Sequence, residues 1–347
     1  MLPAMQSDAL PLIFPEAIKP GDTIGVCTPS SPAYLWNEDL FTNGLKNLNQ
    51  LGFKTKLGFL TEKRSHQGYR SGTAQDRAKE FMDLTKDPSV QAIMATIGGS
   101  NSASMIPYLD FPEIRNQRKI FCGYSDVTSL HLAILKFAGL STLYGPAVMC
   151  WFGDWPNGCE ISSSWFMDAA SRPSGGPRSI KKPKLWSNHK RDWSNGDWKE
   201  IPREWTTNEG WKPLNYGAAK GQILALNLNT LLTSAGTSYW PDLKNKILLL
   251  EDMDAPHTET ERSLRMLQFN GAFDQISGLI IGKPETYNQQ GAPFDYDDLW
   301  MEILGKPKFP VLSQFDCGHT LPNLTVPQLT NVALHCSSDN DVRFEFL

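Results

Sequence analysis

Four short, apolar, β-rich runs at 22–28, 53–60, 91–97 and 119–123 alternate with stretches of helical periodicity in the first half of the chain. That alternation predicts βαβ units wound around a parallel sheet. Between the first two runs, Leu40, Phe41, Leu45, Leu48 and Leu51 recur at helical spacing before Gly52. A second helix is capped by Ser71 or Thr73, carries Ala78, Phe81, Met82 and Leu84, and stops at Asp87-Pro88, where proline ends it. A third covers 127–138 and ends at Gly139. The turns that follow three of the strands are Pro29-Ser30-Ser31-Pro32, Gly98-Gly99 and Tyr124-Ser125-Asp126. A doubly wound sheet gathers such turns at its carboxyl edge, where ligands bind.

With 347 residues the chain has room for about two domains. Residues 1–152 form the N-terminal α/β domain. From 153 to 216 Pro, Gly, Ser, Asn and Lys are abundant and Trp recurs at 155, 165, 186, 193, 198, 205 and 211; this is read as a domain crossover with a long, ordered, aromatic-rich loop. Residues 217–347 form a C-terminal, more β-rich α/β domain, with a helix at 227–234, a strand at 246–250, a helix at 258–270 and a strand at 276–281. Hydrophobic residues at 40% and charged residues at 20% suit a globular chain throughout. The net charge of −4 offers no bulk positive field, so a nucleic-acid polymer is not an expected partner. Six cysteines without a C-x-x-C pair read as thiols in a reducing compartment. The first residues lack a basic n-region, and no run reaches the roughly eighteen apolar residues of a spanning helix, so the expected location is the cytoplasm, with no membrane partner.

The segment Ile120-Phe121-Cys122-Gly123-Tyr124-Ser125-Asp126-Val127-Thr128 delivers a serine from a strand straight into a helix N-terminus. Such a turn lifts a hydroxyl clear of the sheet, and the N–H groups at the helix start can stabilise an oxyanion. Val127 departs from the G-x-S-x-G pattern, and on spacing alone Ser125 or Asp126 as a plain helix cap is the favoured reading over catalysis. Gly98-Gly99-Ser100-Asn101-Ser102 should lie beside it, either as an ordinary turn or as a close backbone approach to substrate. Glu251 and Asp252 end an apolar strand, where a carboxylate can hold a histidine in one tautomer. His319, in a loop bounded by Gly318 and Pro322, is the best base among the six histidines. No His/Cys/carboxylate cluster has metal-ligand spacing and no phosphate-binding glycine motif occurs, so neither metal nor cofactor is expected.

Together these segments resemble the LD-carboxypeptidase family of serine peptidases, in particular its microcin C immunity branch. The resemblance runs through Lys19-Pro20-Gly21-Asp22-Thr23-Ile24, Pro29-Ser30-Ser31-Pro32, Gly98-Gly99-Ser100-Asn101-Ser102, Gly123-Tyr124-Ser125-Asp126, Leu250-Glu251-Asp252, Gly282-Lys283-Pro284-Glu285 and Gly318-His319. It implies a triad of Ser125, Glu251 and His319, split between the two domains, with an oxyanion held by the N–H groups of Gly99 and Asp126. It also implies a homodimer and a small substrate, either a murein tetrapeptide that loses D-alanine or a peptidyl nucleotide cut at an aspartyl amide. Ser100, Asn101, Trp186 and Trp193 are the expected substrate contacts. An indole offers an adenine a stacking face worth about 1–3 kcal/mol, which D-alanine could not use, so the peptidyl nucleotide is preferred. Two alternatives stand beside this one: a non-catalytic binder of peptidyl nucleotides, and a hydrolase using Cys122 or Cys317.

Overall fold

The computed structural model describes residues 10–192, 197–339 and 341–347. Its first sheet contains β1 (Thr23–Cys27), β2 (Lys54–Leu57), β3 (Ala92–Ala95), β4 (Ile120–Gly123) and β5 (Leu143–Tyr144), all parallel, in the order β5-β4-β3-β1-β2. Beyond β5 the sheet is completed by Val326–Pro327, which returns antiparallel from the far end of the chain. Side chains alternate across this sheet. Ile93, Ala95 and Phe121 enter one apolar core, while Ala92, Met94, Ile120 and Cys122 enter another on the opposite face. Strands buried on both faces must read as continuous apolar runs, and these do.

The crossover helices include α1 (Glu38–Gln50), capped by Asn37, and α2 (Ala74–Lys86), capped by Thr73. Thr73 Oγ1 accepts the N–H of Asp76 at 3.1 Å, so the second of the two predicted caps is the one used. After β4 the chain enters α3 (Thr128–Ala133), which widens into one π-helical turn, Ile134–Ala138, and ends at Gly139 with φ +60°.

The second sheet has eight strands. They are β6 (Arg178–Ile180), β7 (Lys212–Asn215), β8 (Gly217–Asn227), β9 (Ile247–Glu251), β10 (Gly278–Gly282), β11 (Val311–Phe315), β12 (Asn331–Ser338) and β13 (Asp341–Phe346). Their order is β6-β13-β12-β8-β9-β10-β11-β7. The centre, β8 to β11, is parallel, and antiparallel strands flank it. Leu224, Leu226, Leu248, Leu250, Leu279 and Ile281 from this sheet join the same core as Phe81, Phe121 and Leu130, so one apolar mass spans both sheets. The protein is thus α/β, with a doubly wound parallel sheet and a second, more β-rich mixed sheet. Both sheets direct their parallel strands' carboxyl ends toward one cavity.

Candidate active site

Ser125 leaves β4 with φ +65°, a left-handed backbone that a non-glycine residue adopts only under constraint. Several contacts supply that constraint. The N–H of Ser125 donates to the Tyr144 hydroxyl at 3.2 Å. His131, buried inside α3, sits 2.9 Å from the Gly123 carbonyl through Nε2 and 2.8 Å from Thr142 Oγ1 through Nδ1. Burial pushes its pKa down to about 4, so it braces the turn as a neutral ring. A Cβ on Gly98 would stand 3.0 Å from Ser125 Cβ and 3.2 Å from its Oγ, so a larger residue would press the two turns apart by a few tenths of an ångström.

Asp126 binds the two turns together. Its carboxylate accepts the N–H groups of Asn101 at 3.1 Å and Ser102 at 2.9 Å, and the Ser102 hydroxyl donates to its carbonyl at 2.8 Å. Ser30 Oγ accepts the N–H groups of Ser100 and Asn101 from the third turn. The register explains the meeting: Cys27 lies beside Ala95 and Met94 beside Cys122, so all three strands end at one level.

The second sheet supplies the facing half. Glu251, at the end of β9 and 1% exposed, accepts the Tyr144 hydroxyl at 2.5 Å and Asn227 Nδ2 at 3.0 Å on Oε1. Its Oε2 meets His319 Nδ1 at 2.6 Å. The approach needs Gly318, which has φ +134° and whose Cβ would fall 2.8 Å from that same oxygen. Burial opposes a charge on His319, but Glu251, and after it Glu285 and Asp252, outweigh burial and raise its pKa above the ordinary imidazole value. The His319 ring packs against Tyr124, the residue before Ser125, at 4.8 Å between centroids. Asp252 is held by Asn229 Nδ2 at 3.0 and 3.1 Å and by the Met253 N–H at 2.9 Å. Burial, reinforced by the charge of Glu251, pushes it up to about 7.

Ser125 and His319 both line a cavity of about 1170 Å³ between the sheets, together with Gly98, Gly99, Ser100, Asp126, Asp252 and Glu285. Two residues read from sequence as substrate contacts do not line it. Asn101 is engaged through its backbone by Ser30, Asp126 and Arg77. Trp186 lies in the short strand Leu185–Trp186 paired with Thr206–Thr207, its ring 5.5 Å below the Lys283 ammonium. Trp193 is outside the described residues. Trp198 and Trp211 are core residues, and among the described residues the tryptophans that line the cavity are Trp36 and Trp151.

Sequence reasoning also missed Tyr144 and Asn227, which hold Glu251, because neither sits in a local motif. Glu285 was legible only as part of the Gly282-Lys283-Pro284-Glu285 signature. Cys122 and Cys317 are buried, and burial raises both thiols well above their ordinary range, leaving them poor nucleophiles. Among the described residues no group of three or more His, Cys, Asp or Glu side chains is placed to hold a metal ion, and no helix is long and apolar enough to cross a membrane.

Comparison with known proteins adds to this geometry. Residues 24–145 match the LD-carboxypeptidase N-terminal domain and residues 220–334 the LD-carboxypeptidase C-terminal domain. The chain is 36% identical over 323 residues to the microcin C7 self-immunity protein MccF of Escherichia coli, covering 92% of each. It is also 36% identical over 317 residues to a putative carboxypeptidase of Vibrio cholerae, covering 91% of this chain and 93% of that one. The structure of MccF in complex with aspartyl sulfamoyl adenosine superposes with a TM-score of 0.88 at 34% identity, covering 96% of this chain and 98% of that one. Matched in both of its domains, the chain belongs to the LD-carboxypeptidase family, on the branch of the microcin C self-immunity protein.

Proposed function

We propose that this protein is a serine amidase that hydrolyses the bond between a C-terminal aspartyl residue and a nucleotide in peptidyl adenylates of the microcin C kind, and so detoxifies them. The observation that carries the reading is the buried Glu251–His319 pair set opposite a strained Ser125 across a roomy cavity. His319 takes the Ser125 proton as Oγ attacks the aspartyl carbonyl, while Glu251 holds Nδ1–H and stabilises the imidazolium. The N–H groups of Gly99 and Asp126 receive the oxyanion. His319 then protonates the leaving nitrogen, and water, activated by the same imidazole, releases the acyl group from Ser125. A cavity of about 1170 Å³ exceeds what a departing D-alanine needs and suits a nucleotide. The similarity to a protein solved with aspartyl sulfamoyl adenosine supports the same substrate class. We place the enzyme in the cytoplasm as a homodimer.

The test is mass-spectrometric product analysis of wild type and Ser125→Ala with an aspartyl-adenylate amide and, separately, a murein tetrapeptide. Nucleotide release by wild type alone is the expected result. Release of D-alanine alone would keep the triad and move the substrate to the cell wall. Tight binding with no turnover of either would make the protein a sequestering binder.

A further inference from the structure

Among the described residues of the aromatic-rich loop, His189, Lys190, Arg191, Asp192 and Arg203 line the cavity. Most of this wall depends on one carboxylate near the start of the same segment. Asp154, only 8% exposed, accepts Arg191 Nη1 at 2.9 Å, Arg203 Nε at 2.9 Å and Arg203 Nη2 at 3.1 Å. The clamp extends further, because Arg203 Nη1 donates to the His189 carbonyl at 2.8 Å and the Glu204 N–H donates to His189 Nδ1 at 3.1 Å. Arg191 Nη2 also donates to the Ile201 carbonyl. Asp154 is itself rooted in the first domain, since Asn43 Nδ2 of α1 donates to the carbonyls of Gly153 and Asp154, both at 3.0 Å.

We propose that Asp154 is a specificity-determining positioning residue: it fixes His189, Arg191 and Arg203 as the cavity wall against which an anionic leaving group, a nucleoside monophosphate in the present reading, is seated. The inference rests on the peptidyl-nucleotide assignment above. Three points carry it. Arg191 through both Nη atoms, and Arg203 through Nε and both Nη atoms, donate to Asp154 and to loop carbonyls, so these groups shape the wall. An exposed cation on the same wall is Lys190, 3.9 Å from Asp254 and with its side chain 59% exposed, which gives the wall a positive group suited to a phosphate. The clamp's members contribute none of the reacting atoms, so losing the clamp weakens binding of the remote part of the substrate more than the chemical step.

The experiment measures kcat and KM with an aspartyl-adenylate amide, and the affinity of adenosine monophosphate by calorimetry, for wild type, Asp154→Asn and Arg203→Gln. The expected result is that KM and the adenosine monophosphate Kd rise together by about tenfold or more in Asp154→Asn, in line with loss of charge-assisted hydrogen bonds, and kcat moves far less. Arg203→Gln, which keeps the Asp154–Arg191 bond, should shift both in the same direction by less. It decides the matter if Asp154→Asn fails to fold. An unchanged Kd, or a fall in kcat with KM constant, overturns the assignment of Asp154. Failure of the wild type to release nucleotide at all overturns the peptidyl-nucleotide reading instead, and this inference with it.

Discussion

Tyr144 and Glu251 come from different sheets and share a 2.5 Å hydrogen bond, while the same tyrosine oxygen accepts the backbone N–H of Ser125. One phenol therefore sets the spacing between the turn that bears Ser125 and the carboxylate that holds His319. Tyr144→Phe should leave the fold intact and lower kcat by about 10- to 100-fold, the range expected for one lost hydrogen bond to a charged group. Steady-state kinetics beside a thermal melt would check it; wild-type kcat would show that the phenol is idle.

Glu251→Gln should be more severe. An amide oxygen at this position can keep both Tyr144 and Asn227, but the other half of the group becomes an N–H donor that faces His319 and favours the wrong tautomer. The expected loss in kcat is about 10⁴-fold, by analogy with the amide replacement of a triad aspartate. Single-turnover acylation kinetics would measure it.

The pH dependence follows from the direction of the His319 shift. A base must be neutral to act, and the pKa of His319 is raised, so kcat/KM should fall on acidification with a midpoint above the ordinary imidazole value of 6.5. Asp252 is one of the carboxylates that raise it. Asp252→Asn should therefore move the acid limb to lower pH. It should also change stability: the folded pKa of Asp252 is about 7, above its ordinary value, so the parent loses stability as pH rises from the carboxylate range through about 7. The variant should lose less over the same range, the remaining fall coming from His319 and Glu285, whose folded pKa values are also raised. Urea titrations at pH 5 and pH 8 would read that difference.

Much of this was legible along the chain, and the exceptions share a cause. The strands ending at Cys27, Ala95, Gly123 and Glu251 are apolar runs closed by turn residues, signals carried by neighbours in sequence. Ser125 and His319 stand in glycine-bounded turns that announce themselves in the same way. Tyr144 does not, because its strand is two residues long and its importance comes from partners 19 and 107 positions away. The tryptophans were misleading for a related reason. Their clustering marks a loop, but whether an indole faces ligand or core depends on pairings such as Trp211 Nε1 donating to Asp316 at 2.8 Å.

That aspartate anchors a further prediction. Lys283 and Asp316, 2% and 1% exposed, form an ion pair at 2.6 Å that also receives Asn208 and Trp211 from the aromatic-rich loop. Lys283→Met leaves the carboxylate buried without its cation and should cost about 3–5 kcal/mol in guanidinium unfolding. A loss near zero would mean that Asn208 and Trp211 satisfy the carboxylate by themselves.

The strand Val326–Pro327 closes the open side of the first sheet only after nearly the whole polypeptide exists. During synthesis, the half that bears Ser125 must therefore wait with the unpaired backbone of β5 uncovered, a surface to which another nascent chain could add. The late-arriving segment acts as a built-in seal, and shortening the gene from its 3′ end before that point would yield a protein prone to clumping rather than a smaller enzyme.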